Sequence, residues 1–578
     1  MHKEMAGEAR PAAVSPGQRE LRHVIVLMFE NRSFDHLIGW LDHPDPVAFN
    51  GLRVGMFNPL DPSIPDGQRV EVSRWRRLRL RVDPNHEHTA VMSQLGLGGA
   101  PGAEPTNDGY VASYEEKASD RAFVSRKPRA LRRGGYAAAA MLAVVAVFLA
   151  AAFRTAWSSL PGALALLVGI LVRRLVPPAE HYPGDGKRIM RCWDPRTMPA
   201  LSRLATGFTV CSNWFSSVPG ETWPNRQFLH AGTSAGTADI HLGLYHDRTI
   251  YELLADADRD WRIYYDGPAQ VACYPQLWNP ENISNWFPMN ELFNHIKVGD
   301  LATFSFVEPN QGLTGASYSM HPGNNRATNA DLRRGDRFAA AVYEALRQNA
   351  DLFGQTLLII TFDEHGGTFD HVGPPVAVPP DDRNEDGFDF TRLGVRVPTL
   401  MISPWIPGGI ADTTVYDHSS IPETLRRLFA SGQPALKLRA QRANTFERLM
   451  SASERRSADL PDLSRIARRP RNLPSIFDRI KDLVAGGEAL VDDFRQSLGW
   501  LGQVLDEALP PIDARDVSGD AVQATLLARS EPAAATGPDF KPSRRIAARG
   551  VGRLAAHAHA ARTERVSTAG SNRAAPSR

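Results

Sequence analysis

Two pairs of oxygen-bearing side chains lie far apart in the sequence, each directly after an apolar run. Glu30 and Asn31 follow the first run, and Asp363 and Glu364 follow the second. Carboxylate and amide oxygens suit a hard or borderline divalent cation, so the two pairs together predict a metal site. The alternative is that each pair only caps the turn behind its run, as Asp and Asn often do.

A third candidate is Thr222, which lies in the segment GETWPNR. Gly220 permits a tight turn and Pro224 suits a first helical turn, so Thr222 is predicted near a helix N-terminus. Backbone N–H groups and the helix dipole favour a phosphate there. A hydroxyl at that position could be deprotonated on contact with a metal ion and attack phosphorus. A threonine that merely caps the helix is the structural alternative.

The elements that must position these residues indicate an α/β fold. Residues 21–29 and 356–362 are continuous apolar runs, typical of strands buried on both faces of a parallel sheet. A helical pattern covers 331–350, and a short strand pattern covers 397–403. Alternation of strands and helices predicts a mostly parallel sheet. Because ligands bind at the carboxyl ends of such strands, the two distant pairs can converge on one point.

Residues 134–176 do not fit this alternation. The runs 136–153 and 155–172 are each 18 residues long without a charged side chain, and the first meets the lower limit for crossing a bilayer. The second is the weaker candidate, because Trp157, Ser158, Ser159 and Pro161 suit a turn and would leave too few residues to span. Basic residues flank both outer ends, so the positive-inside rule predicts a membrane hairpin with the catalytic body on the cytoplasmic side. An Ala-rich buried or lid helix pair in a soluble protein is the alternative.

The two ends of the chain differ in composition from its middle. Residues 1–20 are polar and rich in Ala and Pro, which predicts a disordered lead without a cleavable signal peptide. Residues 436–511 predict a helical extension, because 440–468 and 476–507 show helical apolar spacing. Residues 512–578 predict a disordered basic tail, either bound to an anionic membrane or solvated without a partner.

The overall composition says little about which partners the protein binds. Lys and Arg number 66 against 64 Asp and Glu, and this net charge of +2 says nothing about an acidic or basic partner. No nucleic-acid partner is expected, and the number of associating chains stays open. No Cys/His cluster suggests zinc. Reduced thiols are predicted for the three cysteines, Cys192, Cys211 and Cys273.

Six strings occur in order along the chain: ENRSFDHLIGWL (30–41), DPNHEH (83–88), WFSSVPGETWPNR (214–226), TFDEHGGTFDHVGPP (361–375), RVPTLMISPW (396–405) and DHSS (417–420). Together they resemble the bacterial phospholipase C/acid phosphatase family of phosphoesterases. The likeness defines a catalytic domain over residues 21–435, interrupted by the apolar insert. It implies an alkaline-phosphatase-like core of three layers, α/β/α.

The resemblance also implies roles for individual residues. It implies one divalent metal ion, of unknown identity, with Thr222 as ligand and nucleophile beside four further ligands: Glu30, Asn31, Asp363 and Glu364. His86 and His321 match family histidines that stabilise the transferring oxygens or protonate the leaving alcohol. Contacts to the substrate are expected from Asn225, Arg226, His365 and His371. His365 and His371, like Asp370, could instead orient the carboxylates, and Asp417 and His418 either do the same or cap a helix.

The chain departs from the family pattern at two positions. Glu221 stands where the family usually has proline, and Asn213 stands where it commonly has aspartate. A carboxylate beside the nucleophile repels a phosphate dianion unless it points away or meets a cation. Glu221 therefore favours phosphodiesters over phosphomonoesters, and neither departure removes a predicted ligand.

The predicted function is phospholipase C-type hydrolysis of phospholipids at a membrane. Thr222 attacks phosphorus and expels an alcohol such as diacylglycerol, and water then releases the phosphate product from the phosphothreonine. One alternative is an acid phosphatase with broad specificity for soluble phosphomonoesters. Another, of a different class, is a catalytically silent membrane scaffold that keeps the fold.

Overall fold

A computed structural model describes residues 15–76, 80, 82–97, 103–119, 182–241, 243–267, 269–309, 318–322 and 332–469. The helices in this part of the chain are α1 Pro16–Glu20, α2 Phe34–Ile38, α3 Pro46–Phe49, α4 His88–Gln94, α5 Tyr110–Ser119, α6 Pro199–Gly207, α7 Thr222–Ala231, α8 Ile250–Ala255, α9 Glu291–Val298, α10 Leu332–Gln348, α11 Ala350–Phe353, α12 Ser420–Phe429 and α13 Leu438–Arg442. The strands are β1 His23–Phe29, β2 Phe57–Pro59, β3 Arg69–Glu71, β4 Ser73–Trp75, β5 Arg191–Trp193, β6 Thr209–Cys211, β7 Trp261–Tyr265, β8 Trp286–Pro288, β9 Phe304–Glu308, β10 Thr356–Phe362, β11 Leu400–Ile402 and β12 Ile410–Asp412.

Eight of these strands form one sheet in the order β12-β6-β11-β10-β1-β9-β7-β8. Every neighbouring pair is parallel except the two that β11 makes with β10 and β6. The two long apolar runs become β1 and β10, which lie side by side near the centre, and β10 is buried along its whole length. The predicted α/β fold with a mostly parallel sheet is confirmed.

Helices cover both faces of this sheet. Phe306 of β9 packs on His230 of α7 at 4.8 Å between ring centroids. Phe29 of β1 packs on Phe338 of α10 at 6.4 Å. Phe306 is paired with Val26 of β1, so these two side chains point to the same face of the sheet. Side chains alternate between the faces along a strand, and Phe29 is three residues after Val26, so Phe29 points to the face opposite to that of Phe306. The core therefore has three layers, α/β/α.

The helical pattern predicted at 331–350 is confirmed as α10. Asp336 on its buried side accepts hydrogen bonds from the backbone N–H groups of Ala200 and Leu201, at 3.2 and 2.9 Å. These N–H groups lie in the first turn of α6, where they have no partner within the helix. Asp336 thus joins α6 and α10 into one layer.

A smaller region, here called the peripheral unit, comprises the described residues of 50–119 and 182–194. It holds two sheets of two strands, β2–β3 and β4–β5, and each of these strands is three residues long. Its apolar cluster comprises Leu52, Val72, Leu80, Tyr110, Val111, Tyr114, Ile189, Met190 and Cys192, together with Trp40 and Phe369 from outside the unit.

The predicted membrane hairpin, residues 134–176, lies outside the described residues. The described chain stops at Ser119 and resumes at Tyr182, whose N–H donates to the carbonyl of Ala118 at 2.9 Å. Among the helices that are described, none is sufficiently long and apolar to span a bilayer.

The predictions for the two ends need correction where the ends are described. Residues 15–20 are not disordered, because Ser15 caps α1 and its hydroxyl donates to the carbonyl of Met450. Helix over 440–468 is wrong: beyond α13 the chain is irregular apart from a 3-10 turn at Glu447–Leu449. Met450 and Leu463 are buried in the main core, so core packing, not an amphipathic helix, fixes this stretch. Residues 476–507 and the tail 512–578 lie outside the described part.

Candidate active site

The two strand ends meet as the sheet register dictates. Phe29, the last residue of β1, pairs with Phe362, the last residue of β10, so the residues that follow each strand become neighbours. The backbone N–H of Asn31 donates to Asp363 Oδ1 at 3.0 Å. Asn31 has a φ of 52°, a left-handed conformation that asparagine adopts more readily than most residues. The oxygen-bearing pairs therefore share one edge of the sheet.

The turn after β10 folds back tightly. Gly366 and Gly367 have φ values of 61° and 64°, a region that glycine occupies without strain. A Cβ on Gly367 would lie 2.3 Å from the carbonyl oxygen of Asn85. The N–H of Gly366 donates to Glu364 Oε2 at 2.6 Å. The turn thus orients Glu364 and brings the segment around Asn85 against the strand ends.

Thr222 is the first residue of α7, as the sequence predicts. Its hydroxyl lies 3.4 Å from Asn31 Oδ1, and the side chain is buried with 4 % of its surface exposed. Gly220 is required just before it, because a Cβ there would lie 2.2 Å from the carbonyl oxygen of Ala238. The Thr222 hydroxyl therefore faces the strand ends from a helix N-terminus, where N–H groups favour an anion.

Asn225 shapes the loop that presents Thr222. Its Oδ1 accepts from the N–H of Val218 at 2.8 Å, and its Nδ2 donates to the carbonyls of Val218 at 3.1 Å and Glu221 at 2.9 Å. Both ends of the amide are engaged by the loop. The structure places Asn225 behind the nucleophile position, and its contact with a substrate stays a prediction.

Arg226 is a buried cation between two acids. Its Nε donates to Asp363 Oδ2 at 2.9 Å and its Nη1 to Glu308 Oε1 at 3.1 Å. The three side chains are at most 2 % exposed. Burial disfavours the charged guanidinium, but Asp363 and Glu308 outweigh this and raise the pKa of Arg226. Arg226 therefore anchors α7 to the strand ends.

The acidic residues at this edge fit a divalent cation. Arg226 offsets only part of the negative charge carried by Glu30, Asp363, Glu364 and Glu308. Glu364 is fully buried, and its Oε1 has no hydrogen-bond partner among the described residues. Burial and the charge of Asp363 raise its pKa, although His86 opposes them. A bound cation would compensate both the orphaned oxygen and the unbalanced charge.

A second group, Asp83, His86 and His321, faces these acids from irregular segments. Their ligand-type atoms lie within 4.8 Å of one another. His321 Nδ1 is 3.2 Å from Asp83 Oδ1, and His86 Nδ1 is 2.9 Å from the carbonyl of Pro84. The Nε2 atom of His86 is thus left for another partner. This group could hold a cation, or it could donate to phosphoryl oxygens.

The two histidines differ in their electrostatic environment. Burial disfavours the charged His86 ring, but Glu364, Asp83 and other carboxylates outweigh burial and raise its pKa to about 10. Burial lowers the pKa of His321 to about 4, against the opposing charge of Asp83. The rings lie 5.4 Å apart in a T-shaped arrangement. One ring is therefore set to carry a proton and the other to remain neutral.

Glu221, the unusual neighbour of Thr222, is held by a backbone group. Its Oε2 accepts from the N–H of Ile240 at 2.6 Å. Burial and Asp239 raise its pKa to about 8, although His86 opposes them. The raised pKa weakens the repulsion expected of a carboxylate beside a phosphate. The other departure, Asn213, donates to the carbonyl of Thr413 at 2.8 Å.

The remaining predicted histidines separate into two places. His365 belongs with the site, since its Nδ1 is 3.3 Å from Glu364 Oε2 and its Nε2 is 3.0 Å from Gln94 Oε1. His371 belongs to a different cluster, where its Nδ1 lies 2.6 Å from Asp35 Oδ2. A contact between His371 and the substrate stays a prediction.

That second cluster is an ion-pair network behind the site. Arg396 donates to Asp370 Oδ1 at 2.9 Å and to Asp35 Oδ1 at 3.1 Å, and all three are fully buried. His418 lies elsewhere, with its Nε2 2.6 Å from the carbonyl of Asp363. Asp417 accepts from the hydroxyl of Ser217 at 2.7 Å. The supporting roles of Asp370, Asp417 and His418 stay predictions.

Three residues at the site escaped prediction. Glu308 ends the buried strand β9, so the strand-end rule that found Glu30 could have found it. Asp83 stands in the string DPNHEH, beside His86, and only its acidity marked it. Ser319, whose hydroxyl donates to Glu30 Oε2, carries no signal in the sequence.

Comparison with known proteins gives a consistent result. The phosphoesterase family model matches residues 21–430. The non-specific phospholipase C6 of Arabidopsis thaliana is 30% identical over 463 residues, which cover 77% of this chain and 75% of that protein. The non-hemolytic phospholipase C of Pseudomonas aeruginosa is 25% identical over 469 residues, covering 72% of this chain and 55% of that protein.

Similarity to solved structures is weaker. A protein in the alkaline phosphatase superfamily from Vibrio parahaemolyticus matches with a TM-score of 0.24 and 11% identity, over 52% of this chain and 81% of that one. At this TM-score the match adds nothing to the topology given above.

Proposed function

The chain belongs to the phosphoesterase family, and from that membership we propose that it is a phospholipase C-type enzyme with a threonine nucleophile. Hydrolysis of phosphoric ester bonds is the class of reaction shown by the family and the named relatives. The finer proposal concerns which residue attacks and which ester is cleaved.

One observation carries the proposal: the Thr222 hydroxyl lies 3.4 Å from Asn31 Oδ1 at the common end of β1 and β10. A helix N-terminus, a hydroxyl and a set of buried carboxylates are brought to one point from three distant parts of the chain. A helix cap that faced solvent would explain none of this burial. An attacking hydroxyl that must exclude competing water does explain it.

The chain's own residues would act as follows. The first-turn N–H groups of α7 bind the phosphoryl oxygens, and Arg226 holds α7 against Asp363. The Thr222 hydroxyl gives up its proton to solvent, its oxygen forms a bond to phosphorus as the bond to the alcohol oxygen breaks, and His86 donates a proton from Nε2 to that alcohol. Water then displaces the Thr222 oxygen from phosphorus, the His86 ring accepts the proton of the water, and the released Thr222 oxygen takes up a proton from solvent.

The residues that would hold a divalent ion are Glu30, Asn31, Thr222, Asp363 and Glu364. Such an ion, when bound, neutralises charge on the phosphoryl oxygens and lowers the pKa of a bound hydroxyl.

Phospholipids are the proposed substrate class because of the relatives and because of Glu221. Both relatives named above are called phospholipase C. When Glu221 is ionised, which its raised pKa of about 8 confines to alkaline pH, it disfavours a phosphate dianion more than a diester monoanion. Together these favour a diester.

The test is hydrolysis by wild type, Thr222→Ala and Thr222→Ser, with phosphatidylcholine vesicles and with a soluble aryl phosphate. We expect Thr222→Ala to lower kcat by about a thousandfold or more on the vesicles, and Thr222→Ser to retain part of the activity. Thr206→Ala, in α6, is the matched control and should keep full activity. If the wild type hydrolyses only the aryl phosphate, the protein is a phosphatase for soluble substrates and not a phospholipase. If Thr222→Ala stays active, Thr222 is not the nucleophile.

We also propose that residues 134–176 hold the catalytic domain at the cytoplasmic face of a membrane. The support is the pair of uncharged 18-residue runs with basic outer flanks. Deleting 134–176 should move the protein from the membrane fraction to the supernatant. Retention of the shortened chain in the membrane fraction would contradict the proposal.

A further inference from the structure

A basic pocket is lined in part by Arg32, the second residue after Glu30 in the chain. It is lined by seven residues, and none of those lining residues is acidic: Arg32, His36, Trp75, Leu80, Arg188, Arg191 and Trp193. The pocket is a shallow opening to solvent, and the space around its lining is about 280 Å³ when that solvent is included. Three guanidinium groups around one opening create a site of positive potential that attracts anions.

Arg32 is the buried end of this pocket. It is 1 % exposed, and no carboxylate of the described residues forms an ion pair with it. Its guanidinium donates to the carbonyls of Met320 and His321 and lies 3.1 Å from His36 Nδ1. These contacts use three of the five N–H groups of an arginine. The charge of Asp83 acts on this guanidinium without forming an ion pair with it, so a further anion at this end would stabilise the buried cation.

Trp193 supplies an independent sign of a missing ligand. The side chain is 3 % exposed, and its indole N–H has no hydrogen-bond partner among the described residues. An indole N–H can only donate, so the absent partner must be an acceptor. The ring packs against His36, with 6.3 Å between centroids, which places this donor in the wall that also holds Arg32.

The rim of the pocket is cationic and rigid. Arg191 lies over the Trp75 ring at 4.1 Å from its centroid. Arg188 donates to Asp185 Oδ1 at 2.8 Å, which fixes the direction of its guanidinium. Guanidinium groups with several N–H donors match the oxygens of a tetrahedral anion.

We propose that this pocket binds a phosphate group other than the one being hydrolysed. The shared chemistry is a tetrahedral oxyanion held by Arg32, Arg188 and Arg191 with the Trp193 N–H. Its source is either free inorganic phosphate or the phosphate of a neighbouring lipid headgroup. Thr222 does not line this pocket. Arg32 nevertheless connects the pocket with the active site, because it directly follows Asn31 in the chain and donates to the carbonyl of His321.

The first experimental arm is equilibrium dialysis with labelled inorganic phosphate, comparing the wild type with Arg188→Gln/Arg191→Gln. The double variant should bind one phosphate fewer per chain, or bind it about a hundredfold more weakly, since each of the two lost charged hydrogen bonds is worth roughly a factor of ten. The control Arg248→Gln/Arg427→Gln removes the same charge outside the pocket lining, at a loop residue and on α12, and should bind like the wild type. The measurement compares the number of phosphates bound per chain in the variant and in the wild type. Any phosphate bound near Thr222 is present in both proteins, so it does not change the comparison.

The second arm distinguishes the lipid source. Phosphatidylcholine vesicles with and without phosphatidylglycerol are sedimented with both double variants and the wild type. A loss of vesicle binding in Arg188→Gln/Arg191→Gln, absent from the control, assigns the site to a lipid phosphate. A loss in dialysis alone assigns it to free phosphate. Wild-type behaviour of the pocket variant in both arms, with its circular dichroism unchanged, overturns the proposal.

Discussion

The two halves of the candidate site are built differently. The acidic half, Glu30, Asn31, Asp363 and Glu364, stands on the ends of β1 and β10, whose register fixes the distance between them. The histidine half, with Asp83, is carried by segments that are neither helix nor strand. The two halves therefore differ in how they are positioned. Strands position the acidic side chains proposed to bind the metal ion, and loops carry the histidines proposed to exchange protons.

The largest effect should come from the acidic half. Asp363→Asn keeps the shape of a side chain that accepts from Asn31, Glu364 and Arg226, but removes its charge. We expect kcat/KM to fall by about a thousandfold or more, with a higher divalent-ion concentration needed for half-maximal activity. Steady-state assays over a metal titration measure both. Asp389→Asn, an exposed acid, should change neither, and a fully active Asp363→Asn would remove the acids from the mechanism.

Arg226→Lys tests whether the acidic half is also a structural anchor. Lysine cannot reproduce the two-sided contact of Arg226 with Asp363 and Glu308. We expect the free energy of unfolding to fall by about 3 kcal/mol, because a buried acid loses its partner. Urea unfolding followed by circular dichroism measures this, and Arg427→Lys on α12 is the exposed control. Equal stability of the two variants would mean that the anchor is not needed.

The histidine half should give a smaller and different effect. His86→Gln and His321→Gln remove a proton carrier, which typically lowers kcat by about a hundredfold. The divalent-ion concentration for half-maximal activity should stay at the wild-type value, in contrast to Asp363→Asn. A shift of that concentration in either variant would show that the histidines bind the ion, and the two halves would then not be distinct.

The smallest effect is expected outside both halves. His371 pairs with Asp35 in the network around Arg396, so His371→Asn should change kcat/KM by less than about twofold. Assays on phosphatidylcholine vesicles would show it. A large rise in KM alone would restore the predicted contact between His371 and the substrate.

The sequence predicted the acidic half because apolar runs carry a clear signal. A run such as 356–362 can only be a strand buried on both faces, and an acid at its end lies at the sheet edge. The same rule would have found Glu308, the last residue of β9. The direction of a strand was not predictable in this way. The run at 397–403 contains β11, but nothing in its composition indicated that β11 is antiparallel to its two neighbours, β10 and β6.

The histidine half gave no such signal. His86 and Asp83 lie in a stretch without periodicity, and their approach to His321 depends on how loops pack in three dimensions. Only the resemblance to a family pointed to the two histidines. The helix predicted over 440–468 failed for a related reason, because apolar spacing also arises where an irregular chain such as that around Met450 packs on a core.

The central claim, that Thr222 attacks phosphorus, is tested most directly by the configuration at phosphorus. A phospholipid made chiral at phosphorus is hydrolysed by the wild-type protein in isotopically labelled water, and the configuration of the phosphate product is determined. Two successive in-line displacements, at Thr222 and then by water, predict retention. Inversion would show a single direct attack by water and would contradict the account.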